Sequence, residues 1–406
     1  MNLFRPIAAS IALISLAVCT AQANDSAPAV ATVPGEAAML KEFMARQQSG
    51  QTTSLLFYST EERRVAFKHI DRILPTRKIL VGDSPYPLGE KLMDLSGVTY
   101  EVDGKSFSVA DFLAMPSQIG FLAVKDGNVV MEHYAAGNDR NSRWVSFSVS
   151  KSVTSMLIGA AIKDGFINSV DEPVAHYLPR LRGTGYEGAS IKDVLQMSSG
   201  VAWNEDYADP QSDVAQAGGA NGIQLVSYLG KLEKQHEPGE VFNYNTGETN
   251  LVGEILRAAI GNNAATYATH KIWQPFGMES DANWLTGGPG AGETGGCCIS
   301  ATLRDYARIG LFAMKNGKLR DGTKVLPDNW IKESTSPSKG AEYYGYLWWL
   351  NEDSSYAARG IFGQQIYIDS AANVVIAAHS NAPAAVGTDY HKHLAAAIQA
   401  VGKRLK

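Results

Sequence analysis

The chain has 406 residues, 45% hydrophobic and 19% charged, with a formal net charge of −5. That balance fits a globular protein of one large or two modest domains. No long basic run is present, and Lys403-Arg-Leu-Lys406 is too short to act as one, so nucleic acid is excluded as the expected partner.

Met1-Asn-Leu-Phe-Arg-Pro6 gives a positively charged start, Ile7 to Val18 an apolar stretch, and Ala21-Gln-Ala23 a small-residue cleavage site. Together these are the three parts of a secretory signal peptide, residues 1–23. About a dozen apolar residues are too few to cross a bilayer, so the expectation is a periplasmic or secreted protein with no membrane span. Cleavage after Ala23 removes Cys19 and leaves the adjacent Cys297 and Cys298. A disulfide between neighbours is geometrically strained, so two buried small residues are expected there.

Asn24 to Pro34 is rich in Ala, Pro and Ser and reads as a disordered leader. Ser59-Thr-Glu-Glu62 is a capping box opening one helix with apolar positions Ala66, Phe67, Ile70, Ile73 and Leu74, stopped by Pro75. Residues 24–111 read as an N-terminal extension or wrap without visible chemistry, and residues 112–406 as the main domain.

Gly120 to Val124 and Val129 to Tyr134 flank Asp126-Gly127 as a hairpin. A helix follows Ser148, its apolar stripe made by Val153, Met156, Leu157, Ala160 and Ala161. Ser190 caps a short helix to Met197. Further helices are expected over 249–260, 264–273, 302–314 and 391–405. Tyr344 to Leu350 reads as a strand, and 365–369 with 374–378 as a second hairpin. Strands at both ends with helices between argue for an α+β fold, an antiparallel sheet completed by the two ends of the domain.

Ser148 and Lys151 are three apart and share one helical face. The serine sits among N-terminal N–H groups, and a desolvated amine one turn on can take its proton. Tyr244, just before a helix start, is a candidate second proton carrier, its pKa lowered by a neighbouring ammonium. Arg359-Gly-Ile-Phe-Gly-Gln364 offers backbone for an oxyanion hole beside the Ser148 N–H. No G-x-S-x-G elbow exists. Gly290-Ala-Gly-Glu-Thr-Gly295 follows no strand and reads as a loop. His391 and His393 point to different faces of a helix, so neither metal nor cofactor is expected.

With Ser148-x-x-Lys151, Tyr244-Asn-Thr246 and Gly360-Ile-Phe-Gly-Gln364 in this order, the chain resembles the serine β-lactamase superfamily. It is most similar to class C-related esterases and amidases, especially 6-aminohexanoate-dimer hydrolases. The resemblance implies a β-lactamase/transpeptidase-like fold, an antiparallel sheet flanked by helices plus a helical region. It implies Ser148 as nucleophile, Lys151 as its activator, Tyr244 as proton relay to the leaving group, and the N–H groups of Ser148 and Ile361 as oxyanion hole. Tyr207, in a stretch similar to the substrate-binding loop of the dimer hydrolases, is the implied substrate contact; Gly360, by close backbone approach, and the aromatic Trp349 are further candidates. Two departures stand out: Thr246 where class C β-lactamases carry Asn, and Ala358-Arg-Gly360 where they carry Lys-Thr-Gly. These favour an exported hydrolase of a small-molecule ester or amide over a penicillin-binding D-alanyl-D-alanine peptidase or weak β-lactamase. A non-catalytic cell-wall-binding protein is the rival of another class. Oligomeric state is not legible in the sequence.

Overall fold

The computed structural model describes residues 35–51 and 54–406, so the expected signal peptide (1–23) and leader (24–34) lie outside the described residues. The strands, in chain order, are β1 (Thr76–Ile79), β2 (Gly89–Glu90), β3 (Thr99–Val102), β4 (Lys105–Ser108), β5 (Gln118–Lys125), β6 (Asn128–Tyr134) and β7 (Arg143–Val145). They continue with β8 (Ala282–Leu285), β9 (Ile299–Thr302), β10 (Trp349–Leu350), β11 (Tyr356–Arg359), β12 (Gln365–Asp369) and β13 (Val374–Ser380).

Seven of these form the main sheet in the order β10-β11-β12-β13-β5-β6-β2. It is antiparallel except where β2 joins β6 in parallel at the edge. The fold is α+β, as the order of the chain implied. The β5–β6 hairpin turns at Asp126 and Gly127, both with positive φ (51° and 77°), the geometry that matches strand twist. Helices cover both faces, so β5 and β13 are buried almost throughout. Alternate residues serve opposite layers. Leu122, Val124, Ile366 and Val375 face the core shared with helix Leu303–Met314 and the Ser148 helix. Phe121, Ala123, Tyr367 and Ile376 face the core shared with the N-terminal helices and the C-terminal helix Asp389–Arg404.

A second sheet, β1-β8-β9-β7, has no counterpart among the expected elements. It draws β1 from the N-terminal extension and β7 from the segment just before Ser148. Two expected elements also change shape. The helix opened by the Ser59 capping box ends at Ala66 and a separate turn covers Ile70–Ile73. Phe67 is buried among the rings of Trp144, Phe147 and Phe362, and its carbonyl accepts from the Val145 N–H at 3.1 Å, a bond that competes with helix continuation. The expected strand over 344–350 is extended only at Trp349–Leu350. Leu347 has φ 62° and its N–H donates to the Leu195 carbonyl at 3.0 Å, so tertiary contact turns the chain. Cys297 and Cys298, expected as separate side chains, are joined as a disulfide, with Cys298 fully buried.

Candidate active site

The segment before Ser148 is held on all sides. Trp144 Nε1 donates to the Ser380 carbonyl at 3.0 Å, Tyr306 Oη donates to the Trp144 carbonyl at 3.0 Å, and the Ile299 N–H donates to Ser146 Oγ at 2.8 Å. Phe147 takes the left-handed conformation, φ 44°, a strain a non-glycine residue keeps only when its surroundings fix it. It sets Ser148 at the mouth of helix Val149–Lys163. Val149, Val153, Met156 and Leu157 bury that helix, which makes the position of the serine a property of the core.

Lys151, one turn on, is 1% exposed. Its Nζ donates to Thr246 Oγ1 at 3.0 Å and lies 5.4 Å from the centre of the Tyr244 ring. Burial pushes the ammonium down to about 8, against a smaller opposing pull from the Glu205 carboxylate. Close packing of backbone enforces this position: a Cβ on Gly296 would lie 2.8 Å from Lys151 Nζ. The Gly296 N–H is held by Asn250 Oδ1 at 2.8 Å.

Tyr244 precedes helix Thr246–Ile260, whose cap is Asn245, its side chain accepting from the Glu248 N–H at 2.9 Å. The phenol stacks on Trp349, ring centres 5.6 Å apart. Its pKa is displaced opposite to expectation. Burial first, then the Glu205 charge, push it well up, and a hydrogen bond with Ser148 draws it back only in part. A neighbouring ammonium does not win because that site is dry and carries an acid. Tyr244 is therefore held as a neutral phenol, while the Lys151 amine beside it is brought toward neutrality.

Glu205 is the residue the sequence reading passed over. It accepts from the Thr246 N–H at 3.0 Å, from the Thr246 hydroxyl, from Trp203 Nε1, and from Tyr207 Oη at 2.8 Å. Thr246 thus links Lys151 to the carboxylate. The only sequence signal was its place in Asn204-Glu-Asp-Tyr-Ala-Asp-Pro210, with no periodicity or motif to mark the acid itself.

Neither the Ser148 nor the Ile361 N–H has a hydrogen-bond partner among the described residues, leaving both as donors for an oxyanion. A Cβ on Gly360 would sit 2.6 Å from the Ser146 carbonyl oxygen, so glycine lets the end of β11 approach the segment that leads into Ser148. Two adjoining cavities meet at Tyr207 and Ile361. One, of about 470 Å³, is lined by Ser148, Gln216, Thr246 and Cys297. The other, of about 460 Å³, is lined by Tyr244, Trp349, Arg359 and Gly360. Ser148, Tyr207, Tyr244, Trp349, Gly360 and Ile361 thus line one or both of the two cavities, and Lys151 reaches them through Thr246. His391 and His393 do not form a pair: His391 Nε2 meets the Ile361 carbonyl at 2.9 Å, and His393 Nδ1 meets Tyr100 Oη at 2.9 Å. Among the described residues, no group of three His, Cys, Asp or Glu is placed to hold a metal, and no helix is long and apolar enough to cross a membrane.

The β-lactamase family model matches residues 114–400. The chain is 26% identical over 359 residues to the 6-aminohexanoate-dimer hydrolase of Paenarthrobacter ureafaciens, covering 82% of this chain and 89% of that one. A Bacillus anthracis protein proposed to be a 6-aminohexanoate-dimer hydrolase shares the fold with a TM-score of 0.74 at 21% identity, over 87% of this chain and 98% of that one. A penicillin-binding protein homologue from Caulobacter crescentus superposes with a TM-score of 0.53 at 18% identity, over 72% and 95% of the two chains.

Proposed function

The chain belongs to the β-lactamase family, and from that premise we propose an exported serine hydrolase that cleaves an ester or amide through an acyl-enzyme on Ser148. The observation that carries this is Lys151, a buried amine with its pKa brought down to about 8, next to the Ser148–Tyr244 hydrogen bond. Near neutral pH a useful fraction of that amine is uncharged and can act as base.

In acylation Ser148 Oγ bonds to the substrate carbonyl carbon, and its proton passes to Lys151, directly or through Tyr244. The oxyanion lies between the Ser148 and Ile361 N–H groups, where one donor is worth on the order of 10²–10³ in rate. The carbon–heteroatom bond then breaks, and Tyr244, resupplied by Lys151, gives its proton to the departing amine or alcohol. Water repeats the sequence in reverse: its oxygen bonds to the acyl carbon, its proton returns through the same pair, and Ser148 leaves with a proton restored. The names of the relatives in Paenarthrobacter ureafaciens and Bacillus anthracis support an amide among the substrates. Residues 112–406 are taken as the hydrolase unit and 24–111 as its N-terminal extension. The destination is the periplasm or the medium after cleavage behind Ala23.

Stopped-flow release of p-nitrophenol from a short-chain p-nitrophenyl ester tests the reading. Release that is lost in Ser148→Ala is expected, with a burst near one equivalent when deacylation is slow. Equal release from both proteins, or from neither, overturns it, and stable capture of penicillin at Ser148 in place of turnover transfers the chain to the peptidases.

A further inference from the structure

The two N–H groups that flank the oxyanion belong to peptides tied to a cluster of three buried phenylalanine rings. The Ser148 N–H shares its peptide with the Phe147 carbonyl, which accepts from Ser146 Oγ at 2.9 Å and Ser150 Oγ at 3.0 Å. The Ile361 N–H shares its peptide with the Gly360 carbonyl. That carbonyl accepts from the Gly363 N–H at 3.0 Å, closing a turn with Phe362 inside it. Phe147 precedes one donor residue and Phe362 follows the other, and their rings meet with centres 4.9 Å apart, inclined at 66°. Phe67 packs on both, its centre 4.9 Å from Phe147 and 5.6 Å from Phe362. Edge-to-face contacts of this kind hold rings in a defined geometry.

Phe67 comes from the N-terminal extension and is itself fixed. Its carbonyl accepts from the Val145 N–H at 3.1 Å, and its ring meets Trp144 edge-on at 5.8 Å. Arg63, one turn earlier on helix Thr60–Ala66, lays its guanidinium 4.3 Å from the centre of the Phe362 ring. The same guanidinium donates to the Tyr58 carbonyl at 2.9 Å, to Asn381 Oδ1 at 3.1 Å, and to the Ala382 and Pro383 carbonyls at 2.8 and 2.9 Å. The Ala382 N–H in turn donates to the Phe362 carbonyl at 3.0 Å. Arg63 therefore holds Phe362 by its ring and, through Ala382, by its backbone. Neither Phe67 nor Arg63 lines the two cavities of the site, so any effect on the reaction passes through the residues they hold. We infer that the N-terminal extension sets the spacing of the oxyanion hole, with Phe67 and Arg63 as positioning residues for the Ser148 and Ile361 N–H groups. The inference rests on the hydrolase reading for the use of those two donors.

A shorter side chain at position 67 leaves a void that the surroundings fill only in part, and a misplacement of about 1 Å costs on the order of 10²-fold in rate. The test compares Phe67→Leu with wild type for turnover of p-nitrophenyl butyrate and for inhibition by n-butylboronic acid. In the boronate adduct Ser148 Oγ bonds to boron, its proton passes to Lys151, and an anionic oxygen lies between the two donors. Per folded protein, kcat should fall about 10–100-fold with KM within about twofold, and Ki for the boronic acid should rise by the factor that kcat/KM loses. Val102→Ala, on β3 of the same extension, is the stability control, expected to lower the melting temperature while kcat and Ki hold. Arg63→Lys keeps the charge without the planar fork and should lose kcat and boronate affinity in the same proportion, which decides the matter where Phe67→Leu does not fold. A fall in melting temperature with kcat and Ki unchanged, or a loss carried by KM alone, overturns the inference. Release by wild type that Ser148→Ala retains overturns the hydrolase reading, and with it this use of the donors. Release that depends on Ser148 but is indifferent to Phe67 and Arg63 overturns the inference alone.

Discussion

If Lys151 is the starting base, the charge of Glu205 raises the pH at which the enzyme switches on, against the larger downward push of burial. The Lys151 amine donates to Thr246 at 3.0 Å and Thr246 donates to Glu205, so two hydrogen bonds in series separate the charges by about 5 Å. At an effective dielectric of about 20–40 that pair interacts by roughly 2–3 kcal/mol, or about 1–2 pH units. The carboxylate favours the ammonium, so removing it must lower the pKa of the amine. For wild type, kcat/KM on neutral p-nitrophenyl butyrate, corrected with the Ser148→Ala blank, should rise with pH and level off near 8. In Glu205→Gln the bend should move to lower pH by about 1–2 units. The amide keeps an acceptor for Thr246, so the plateau tests positioning while the bend tests charge. A bend that stays in place, or moves upward, refutes the assignment of Lys151 as base under Glu205 control.

Gly296→Ala would bring a methyl group to 2.8 Å from Lys151 Nζ and 3.1 Å from Asn250 Oδ1. The flexible amine should yield rather than the fold, so kcat should fall by about 10–100-fold with little change in melting temperature, measured on the same preparation. Glu248 is buried beneath the site, hydrogen-bonded to Ser199, and burial pushes its carboxyl from 4.5 up to about 8. The folded state then keeps a proton that the unfolded chain releases, so the associated stability is present below pH 4.5 and lost as pH rises toward 8. Thermal melts at pH 5 and pH 8 should therefore differ less in Glu248→Gln than in wild type, and an equal or larger difference would count against a protonated Glu248.

Local chemistry was legible wherever one stretch of chain decides it. The capping box at Ser59, the helix cap at Ser190, the Asp126-Gly127 turn and the apolar stripe of the Ser148 helix all appear where the residues place them. Each rests on hydrogen bonds or packing within a few residues. The ordered motifs around Ser148, Tyr244 and Gly360 carried the family and the fold for the same reason, since each is a short string with a fixed local shape.

What no stretch of chain could reveal depends on neighbours far away in sequence. Phe67 breaks its helix because Val145 claims its carbonyl, and the 344–350 stretch turns because Leu195 claims Leu347. Strand β1 finds β8 across some two hundred residues of chain, a pairing with no local signal. Glu205 acquires its place only when Thr246 brings it to Lys151, and Tyr244 is pushed up rather than down because burial and that acid outweigh the ammonium. Arg359 is a surface-like letter in the sequence; in the fold it is partly buried against Trp349 and donates to Asn351 at a cavity wall. Sequence names the groups that can react, while desolvation and charge pairing, which set their pKa values and their partners, exist only once the chain has folded around them.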